Sequence, residues 1–168
     1  MNSELENRSL DVALRFAQPS DSAALERLER DAWDEHNTPE LHRSGVVFGV
    51  RIPFADTIVA ARGEAILGYA AIGQRSRFTS NRHIGVVRAV VVDRGARRAG
   101  VGSRLLARAE EEARARGFEA LRLTVMATNE HAIALYLRAG YIELGRYPDE
   151  FRVNGRSVDD VLMGKRLE

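Results

Sequence analysis

Apolar and polar residues alternate at several places along the chain, and each such segment predicts a β-strand. The first segment is residues 10–17. Residues 57–61 and 66–72 predict two more strands, joined as a hairpin by the turn residues 62–65. The other strands are predicted at residues 84–92, 121–126, 141–153 and 157–167. Asn154 and Gly155 form a strong two-residue turn signal, so the last two strands are predicted to close the fold as a hairpin.

The first predicted helix follows Pro19, where Ser20 or Asp21 is a suitable N-cap. Helical spacing places four apolar residues on one side of it: Ala24, Leu25, Leu28 and Ala32. Periodicity is then lost over residues 33–53, which predict a short helix and a loop.

Two further helices are predicted at residues 100–116 and 129–139, ended by Gly117 and Gly140. The core positions of the first are Val101, Leu105, Leu106, Ala109 and Ala113. Its solvated side is predicted to carry i,i+4 pairs of Glu110 with Arg114 and Glu112 with Arg116. The order of elements predicts a mixed α/β sheet with helices on its faces. We expect one domain over residues 1–168, with residues 1–9 as a disordered lead.

The composition of the chain excludes several classes of function. The chain has 168 residues and a net charge of +1, so no global field favours nucleic acid or an anionic membrane. It contains no cysteine, which excludes disulfides, thiolate metal sites and a cysteine nucleophile. No apolar run approaches the roughly 20 residues that span a bilayer, and the polar N-terminus is not a secretory signal. We therefore expect a cytoplasmic protein.

The segment from Arg97 to Ser103 lies between a predicted strand and a predicted helix. A helix N-terminus offers unpaired N–H groups and a positive dipole end, which together stabilise an anion. Gly100 and Gly102 allow a phosphate to approach the backbone closely, and Arg97 and Arg98 match phosphate oxygens. The alternative is a helix start with chance glycines. A P-loop would need a lysine here, and a dinucleotide fingerprint would need a glycine in place of Leu105.

The helix of residues 129–139 carries a second candidate constellation. Asn129 is a plausible N-cap, and Asn129 and Tyr136 lie two turns apart on one face. Ala132 lies between them, and its small side chain leaves room for a ligand on that face. A tyrosine hydroxyl can donate the proton that a thiolate leaving group needs. The alternative for Tyr136 is a half-buried core aromatic residue.

Together these segments resemble the GNAT acetyltransferase superfamily. Its Gln/Arg-x-x-Gly-x-Gly/Ala signature matches Arg97, Gly100 and Gly102. Its later motif matches, in order, Asn129, Ala132, Leu135-Tyr136 and Gly140-Tyr141. The resemblance implies the acyl-CoA N-acyltransferase fold, a mixed sheet of about seven strands flanked by about four helices.

The resemblance also implies roles for individual residues. Backbone groups of Val90, Val91 and Val92 would hold the pantetheine arm of acetyl-CoA, beside a splay between the fourth and fifth strands. The pyrophosphate would bind to the loop formed by Arg97, Arg98, Ala99, Gly100, Val101, Gly102 and Ser103. Asn129 and Ala132 would contact the pantetheine region, and Tyr136 would protonate the departing thiolate. A backbone N–H of Val90 or Val91 would polarise the thioester carbonyl.

One departure concerns the general base. Many members of the superfamily place a glutamate in the middle of the fourth strand, whereas residues 84–92 contain no carboxylate. The candidates that remain are His83, Glu35, His36 or a relayed water, and a histidine side chain is a common general base near neutral pH. A surface histidine is the alternative for His83. Arg88 would bind a substrate carboxylate, unless it is a solvated strand residue.

The acceptor site of the superfamily is built from segments that correspond here to residues 33–42, 75–82 and 147–156. They carry both signs of charge, so a cationic amine and an acidic group both remain open. The predicted function is acetyl transfer from acetyl-CoA to a primary amine, of a small molecule or amino acid, by direct attack in a ternary complex without a metal. A homodimer is compatible with this prediction. The alternatives are a non-catalytic acyl-CoA sensor, a protein N-terminal acetyltransferase and a nucleotide-binding protein of another class.

Overall fold

The computed structural model describes residues 12–32, 34, 37–38 and 48–168. Its strands are β1 (Ala13–Phe16), β2 (Thr57–Arg62), β3 (Ala65–Gln74), β4 (Ile84–Val92), β5 (Ala120–Met126), β6 (Ile142–Val153) and β7 (Arg156–Arg166). Its α-helices are α1 (Ser22–Ala32), α2 (Val101–Ala115) and α3 (Glu130–Arg138). The predicted mixed α/β class is confirmed, with three α-helices in the described residues instead of about four. The predicted disordered lead lies outside those residues.

The seven strands form one sheet in the order β1-β2-β3-β4-β5-β7-β6. The β1–β2, β2–β3, β5–β7 and β6–β7 pairs are antiparallel, whereas β4 and β5 are parallel. Parallel neighbours need a crossover connection, and α2 supplies it between β4 and β5. The predicted closing hairpin is confirmed, because Asn154 and Gly155 have φ of 50° and 76°, as its turn type requires.

The chain divides into two compact units, and the described part of the first comprises residues 12–32, 48–71 and 89–109. In this unit the Tyr69 hydroxyl donates a hydrogen bond to Glu29 of α1. A Cβ at Gly68 would lie 3.2 Å from the Leu105 side chain of α2. Successive strand positions face opposite sides of a sheet, so α1 and α2 cover opposite faces of β3.

The second unit contains, among the described residues, 34, 37–38, 72–88 and 110–168. Its core includes Leu121, Leu123, Tyr141 and Met163, each no more than 2% exposed. A Cβ at Gly85 would lie 2.8 Å from both Leu121 and Phe118. The odd-numbered positions of β4 and β5 therefore face this core. One domain over the whole chain stays a prediction.

The start of α1 differs from its prediction. Gln18, not Ser20 or Asp21, precedes the 3-10 turn Pro19–Asp21 that leads into the helix. The Asp21 carboxylate accepts a hydrogen bond from the Gln18 N–H at 2.8 Å, and it binds the Arg15 guanidinium at 2.7 and 2.9 Å. The N-cap prediction was wrong because Asp21 binds back to the chain from inside the first turn.

The predicted core side of α2 is confirmed, because all five of its predicted core residues are buried. The Glu112–Arg116 pair is confirmed at 2.9 Å. The Glu110–Arg114 prediction was wrong, because Glu110 is buried and accepts a hydrogen bond from Lys165 at 2.6 Å. Its position next to Ala109 turns it toward the core, away from solvent.

Candidate active site

The loop between β4 and α2 belongs to the first unit and begins with a local cap. The Asp93 carboxylate accepts a hydrogen bond from the Gly95 N–H at 2.9 Å, which fixes the 3-10 turn Arg94–Ala96. The side chain of Arg97 then donates to the Val92 carbonyl at 3.2 Å. The turn and Arg97 therefore hold the loop against the end of β4.

Two residues of this loop adopt the left-handed backbone region. Arg98 has φ of 66° and Gly100 has φ of 76°. This region costs a non-glycine residue roughly 1–2 kcal/mol, so Arg98 carries strain that glycine avoids. A Cβ at Gly100 would meet no atom within 4 Å. The chain therefore needs Gly100 for its backbone angle, and the space beside it is open to a ligand.

The first turn of α2 follows at Val101. The backbone of Arg104 donates to the Gly100 carbonyl at 3.1 Å, which closes that turn. Val101 is buried, so only its backbone can contribute to an anion site, whereas residues 97–100 are exposed. A helix N-terminus with exposed arginines is suited to bind a phosphate group. The residues present thus fit the pyrophosphate of acetyl-CoA.

The edge of β4 that faces β5 is paired over only a short stretch. The register joins Ile84 with Ala120, Gly85 with Leu121 and Val86 with Arg122. Both strands are fully described, and β4 continues to Val92 beyond the last of these pairs. The ladder thus ends within β4, as expected for strands that splay apart.

The pantetheine-binding candidates lie at the end of β4. Val90 and Val92 are half-buried and Val91 is buried. A Cβ at Gly68 of β3 would lie 2.6 Å from the Val91 carbonyl oxygen, so glycine permits the close approach of the two strands there.

Asn129 caps α3 as predicted. Its Oδ1 accepts a hydrogen bond from the Ala132 N–H at 3.1 Å, and its carbonyl accepts one from Ile133 at 3.1 Å. The side-chain oxygen of Asn129 and the N–H of Ala132 are therefore committed to the cap. Only the amide N–H₂ of Asn129 lies outside it as a donor.

Tyr136 lies in α3 of the second unit and is 7% exposed. Its ring packs against that of Tyr141, with centroids 5.6 Å apart. Burial raises the pKa of the Tyr136 hydroxyl well above its usual range. The group therefore stays protonated at neutral pH, which is the state a proton donor requires.

Two acceptor-side candidates, His83 and Arg88, lie at different levels of β4. His83 precedes the strand, and its carbonyl accepts the N–H groups of Glu119 and Ala120 at 2.8 and 3.4 Å. Arg88 lies five positions later, about 17 Å farther along an extended chain. Its side chain is exposed and rests on β3, where a Cβ at Gly73 would be 2.7 Å from its Nε.

Two carboxylates were missed by the sequence analysis. Glu29 is buried under the hydrogen bond from Tyr69, and its i+4 spacing from Leu25 could have indicated this. Asp160 of β7 is half-buried and accepts a hydrogen bond from the Thr124 hydroxyl. The two aspartates between buried Val158 and Val161 were the signal for Asp160.

Glu35 and His36 lie outside the described residues, as does much of the predicted acceptor segment 33–42. No cluster of three metal-ligating side chains occurs in the part of the chain that the structure describes. No helix in that part is long and apolar enough to cross a membrane.

Comparison with known proteins places these features in a family context. The sequence profile described as "Acetyltransferase (GNAT) family" matches residues 22–141. The L-amino acid N-acyltransferase MnaT of Escherichia coli (strain K12) is 23% identical over 164 residues, covering 94% of this chain and 95% of that protein. The similarity therefore extends over nearly the whole length of both proteins.

Solved structures give the same result for the fold. The smu.2055 protein of Streptococcus mutans UA159 has a TM-score of 0.85 and 25% identity, covering 93% of this chain and 99% of that one. The phosphinothricin acetyltransferase Pat of Sinorhizobium meliloti, solved in complex with acetyl-CoA, has a TM-score of 0.81 and 21% identity, covering 94% and 89%.

Proposed function

The chain belongs to the acetyltransferase (GNAT) family, and on that premise we propose that it moves an acetyl group from acetyl-CoA to the primary amine of a small molecule or amino acid. The observation that carries the proposal is the loop from Arg97 to Ser103. Its left-handed Arg98 and Gly100 hold exposed cationic residues before the N-terminus of α2. That combination supports binding of the pyrophosphate.

The donor side has three proposed roles besides the loop. Bound acetyl-CoA supplies an activated acetyl thioester. Backbone groups of Val90 to Val92 hold the pantetheine arm, and the N–H of Val90 or Val91 stabilises the negative charge that develops on the thioester oxygen. The amide N–H₂ of Asn129 is the group of α3 left to contact the pantetheine.

Tyr136 is the proposed proton donor to the departing sulfur. The match of Asn129, Ala132 and Tyr136 to the family motif supports this role. Burial raises the pKa of the hydroxyl, which keeps it protonated but makes it a weaker acid. The chain has no cysteine, so an enzyme-bound thioester cannot form, which supports direct attack by the amine in a ternary complex.

The proposed acceptor carries an amino group and, in the amino-acid case, a carboxylate. Arg88 supports the second feature, because its exposed guanidinium offers paired donors to a planar anion. The relative MnaT is named as an L-amino acid N-acyltransferase, which favours the same class. A cytoplasmic location and a homodimer stay predictions.

A second candidate is an acyl-CoA sensor that binds without transfer. The middle of β4 favours it, since Ile84–Val92 lacks the carboxylate that the resemblance to the family leads us to expect there. The test is thiol release from acetyl-CoA with a panel of amino acids, small amines and short peptides. Amine-dependent release supports transfer, and release with peptides alone would indicate a protein N-terminal acetyltransferase. Tight acetyl-CoA binding without release on any amine would establish the sensor.

A further inference from the structure

The proposed reaction needs a proton acceptor for the amine, and β4 supplies none. We propose that Asp160 of β7 fills this role, taking a proton from the acceptor ammonium group on the sheet face that it shares with Arg88 and Thr124. This inference rests on the proposed function, since it assigns the base for that same transfer.

The ladder between β5 and β7 places Asp160 at the carboxyl end of β5. The register pairs Met126 with Asp160 and Thr124 with Leu162. Paired residues share a face of the sheet, and the hydrogen bond from the Thr124 hydroxyl to Asp160 agrees with this. Thr124 is exposed and Asp160 half-buried, so a ligand on this face can reach the carboxylate.

Arg88 lies on the same face of the second unit. The parallel register pairs Val86 with Arg122. Two residues further along each strand, on the same face, Arg88 of β4 is therefore level with Thr124 of β5. The Gly85–Leu121 pair faces the core, which assigns the even-numbered residues to the opposite face. The ladder has ended at this level, so the spacing there exceeds that of paired strands. The guanidinium of Arg88 leans over Gly73 of β3, so Asp160 is the charged group on this face that lies next to β5.

An irregularity of β6 brings a second carboxylate toward Asp160. Tyr147 pairs with Asp160, but the next pair is Phe151 with Val158, so β6 bulges between them. Asp149 has φ of 54° in the bulge, and its N–H donates to the Asp159 carboxylate at 3.1 Å. The bulge puts Glu150 close enough for its charge to act on Asp160.

The surroundings of Asp160 make it a better base than an exposed aspartate. Burial raises its pKa and the charge of Glu150 adds to this, whereas the Thr124 hydrogen bond opposes them. The side chains that face it are Met126 and Thr124 of β5, with Arg122 one pair further away, and Tyr147 and Glu150 of β6. The neighbouring Asp159 of β7 instead forms an ion pair with Arg146 of β6, at 3.8 Å.

The proton balance is complete with groups already named. The acceptor –NH₃⁺ gives one proton to Asp160, and its lone pair forms the C–N bond as the C–S bond breaks. Tyr136 gives a proton to the sulfur, and the second proton lost by the nitrogen restores Tyr136. Asp160 then releases its proton to water, so the products are an amide, a thiol and one proton.

The test compares Asp160→Asn with Glu143→Gln, an exposed carboxyl of β6 that pairs with Arg146. We expect Asp160→Asn to lower kcat/KM at neutral pH by about 100- to 1,000-fold, with acetyl-CoA affinity unchanged, and Glu143→Gln to behave as the wild type. Removing a carboxylate held partly out of water should leave thermal stability equal or higher. A merely structural Asp160 would instead lower it.

The pH dependence of kcat/KM gives a second readout, which does not require the Asp160→Asn variant to fold. Glu150→Gln removes a like charge, so the acid limb of kcat/KM is expected to move to lower pH. Asp160→Asn with an unchanged profile, or loss of the acid limb in His83→Gln, overturns the role of Asp160 alone. A wild-type protein that transfers to no amine overturns the proposed function together with this role.

Discussion

Tyr136 is the side chain on which the proposed chemistry depends most. Its hydroxyl sits in a core that disfavours the phenolate, and Tyr141 supports its ring. The same burial also suits a purely structural aromatic residue. Only a substitution that keeps the ring and removes the hydroxyl separates the two roles.

We expect Tyr136→Phe to lower kcat by about 100-fold, because proton donation to the leaving group typically contributes this much. Thermal stability should change little, since the ring and its contact with Tyr141 remain. Steady-state kinetics by thiol release, together with thermal unfolding, would check both points. An unchanged kcat would show that a different acid or water protonates the sulfur.

At the scale of helices and strands, the parts of the fold that could be predicted are those with a clear periodicity in the sequence. Alternation located β4 at its observed bounds, and helical spacing gave all five predicted core positions of α2. The local sequence does not show which residues of different elements contact each other. Glu110 was assigned to Arg114 within its own helix, but it binds Lys165 from a strand 55 positions later. The side-chain contact of Thr124 with Asp160 was hidden for the same reason.

A candidate site could be predicted from the sequence where one segment contains all of its parts. The loop from Arg97 to Ser103 is such a segment, although its strained Arg98 gave no sequence signal. The proposed acceptor side draws on β4, β5, β6 and β7, so no spacing in the sequence marked Asp160. Sequence reasoning instead favoured His83, which lies at the amino end of β4.

The glycines at the two ends of α2 allow a matched test of the loop. Gly100 and Gly117 have φ of 76° and 80°, and a Cβ at either would meet no atom within 4 Å. Substitution by alanine should therefore cost each variant a similar 1–2 kcal/mol of unfolding free energy. Only Gly100→Ala should also weaken acetyl-CoA binding, by about tenfold if it costs one charge-assisted hydrogen bond.

Titration calorimetry with acetyl-CoA and urea unfolding would measure these effects. Wild-type affinity for acetyl-CoA in both variants would show that the left-handed backbone at Gly100 serves the fold alone. A loss of affinity in Gly117→Ala as large as in Gly100→Ala would attribute both losses to α2 as a whole.

At the scale of the whole molecule, the predicted chemistry is divided between the two units. The first unit carries the pyrophosphate loop and Val90 to Val92, and the second carries Asn129, Tyr136, Arg88 and Asp160. The core of the second unit also holds a buried charge pair. Lys165, the only lysine of the chain, contacts Glu110 at 2.6 Å and lies 5.8 Å from the ring centre of Tyr141.

Lys165→Met should lower the unfolding free energy by about 3 kcal/mol, because it leaves the buried Glu110 carboxylate without its counter-ion. The double variant with Glu110→Leu should recover most of this loss. Urea unfolding of the single and double variants gives the comparison. A single variant as stable as the wild type would show that this pair does not stabilise the fold.

The central claim is that the chain transfers acetyl groups from acetyl-CoA to an amine. The most direct measurement incubates the protein with isotope-labelled acetyl-CoA and the amine panel, and follows thiol release and product mass together. The account predicts that one amine gains the labelled acetyl group in amounts equal to the thiol released. Thiol release without any labelled amide, or binding of acetyl-CoA with neither product, would contradict it.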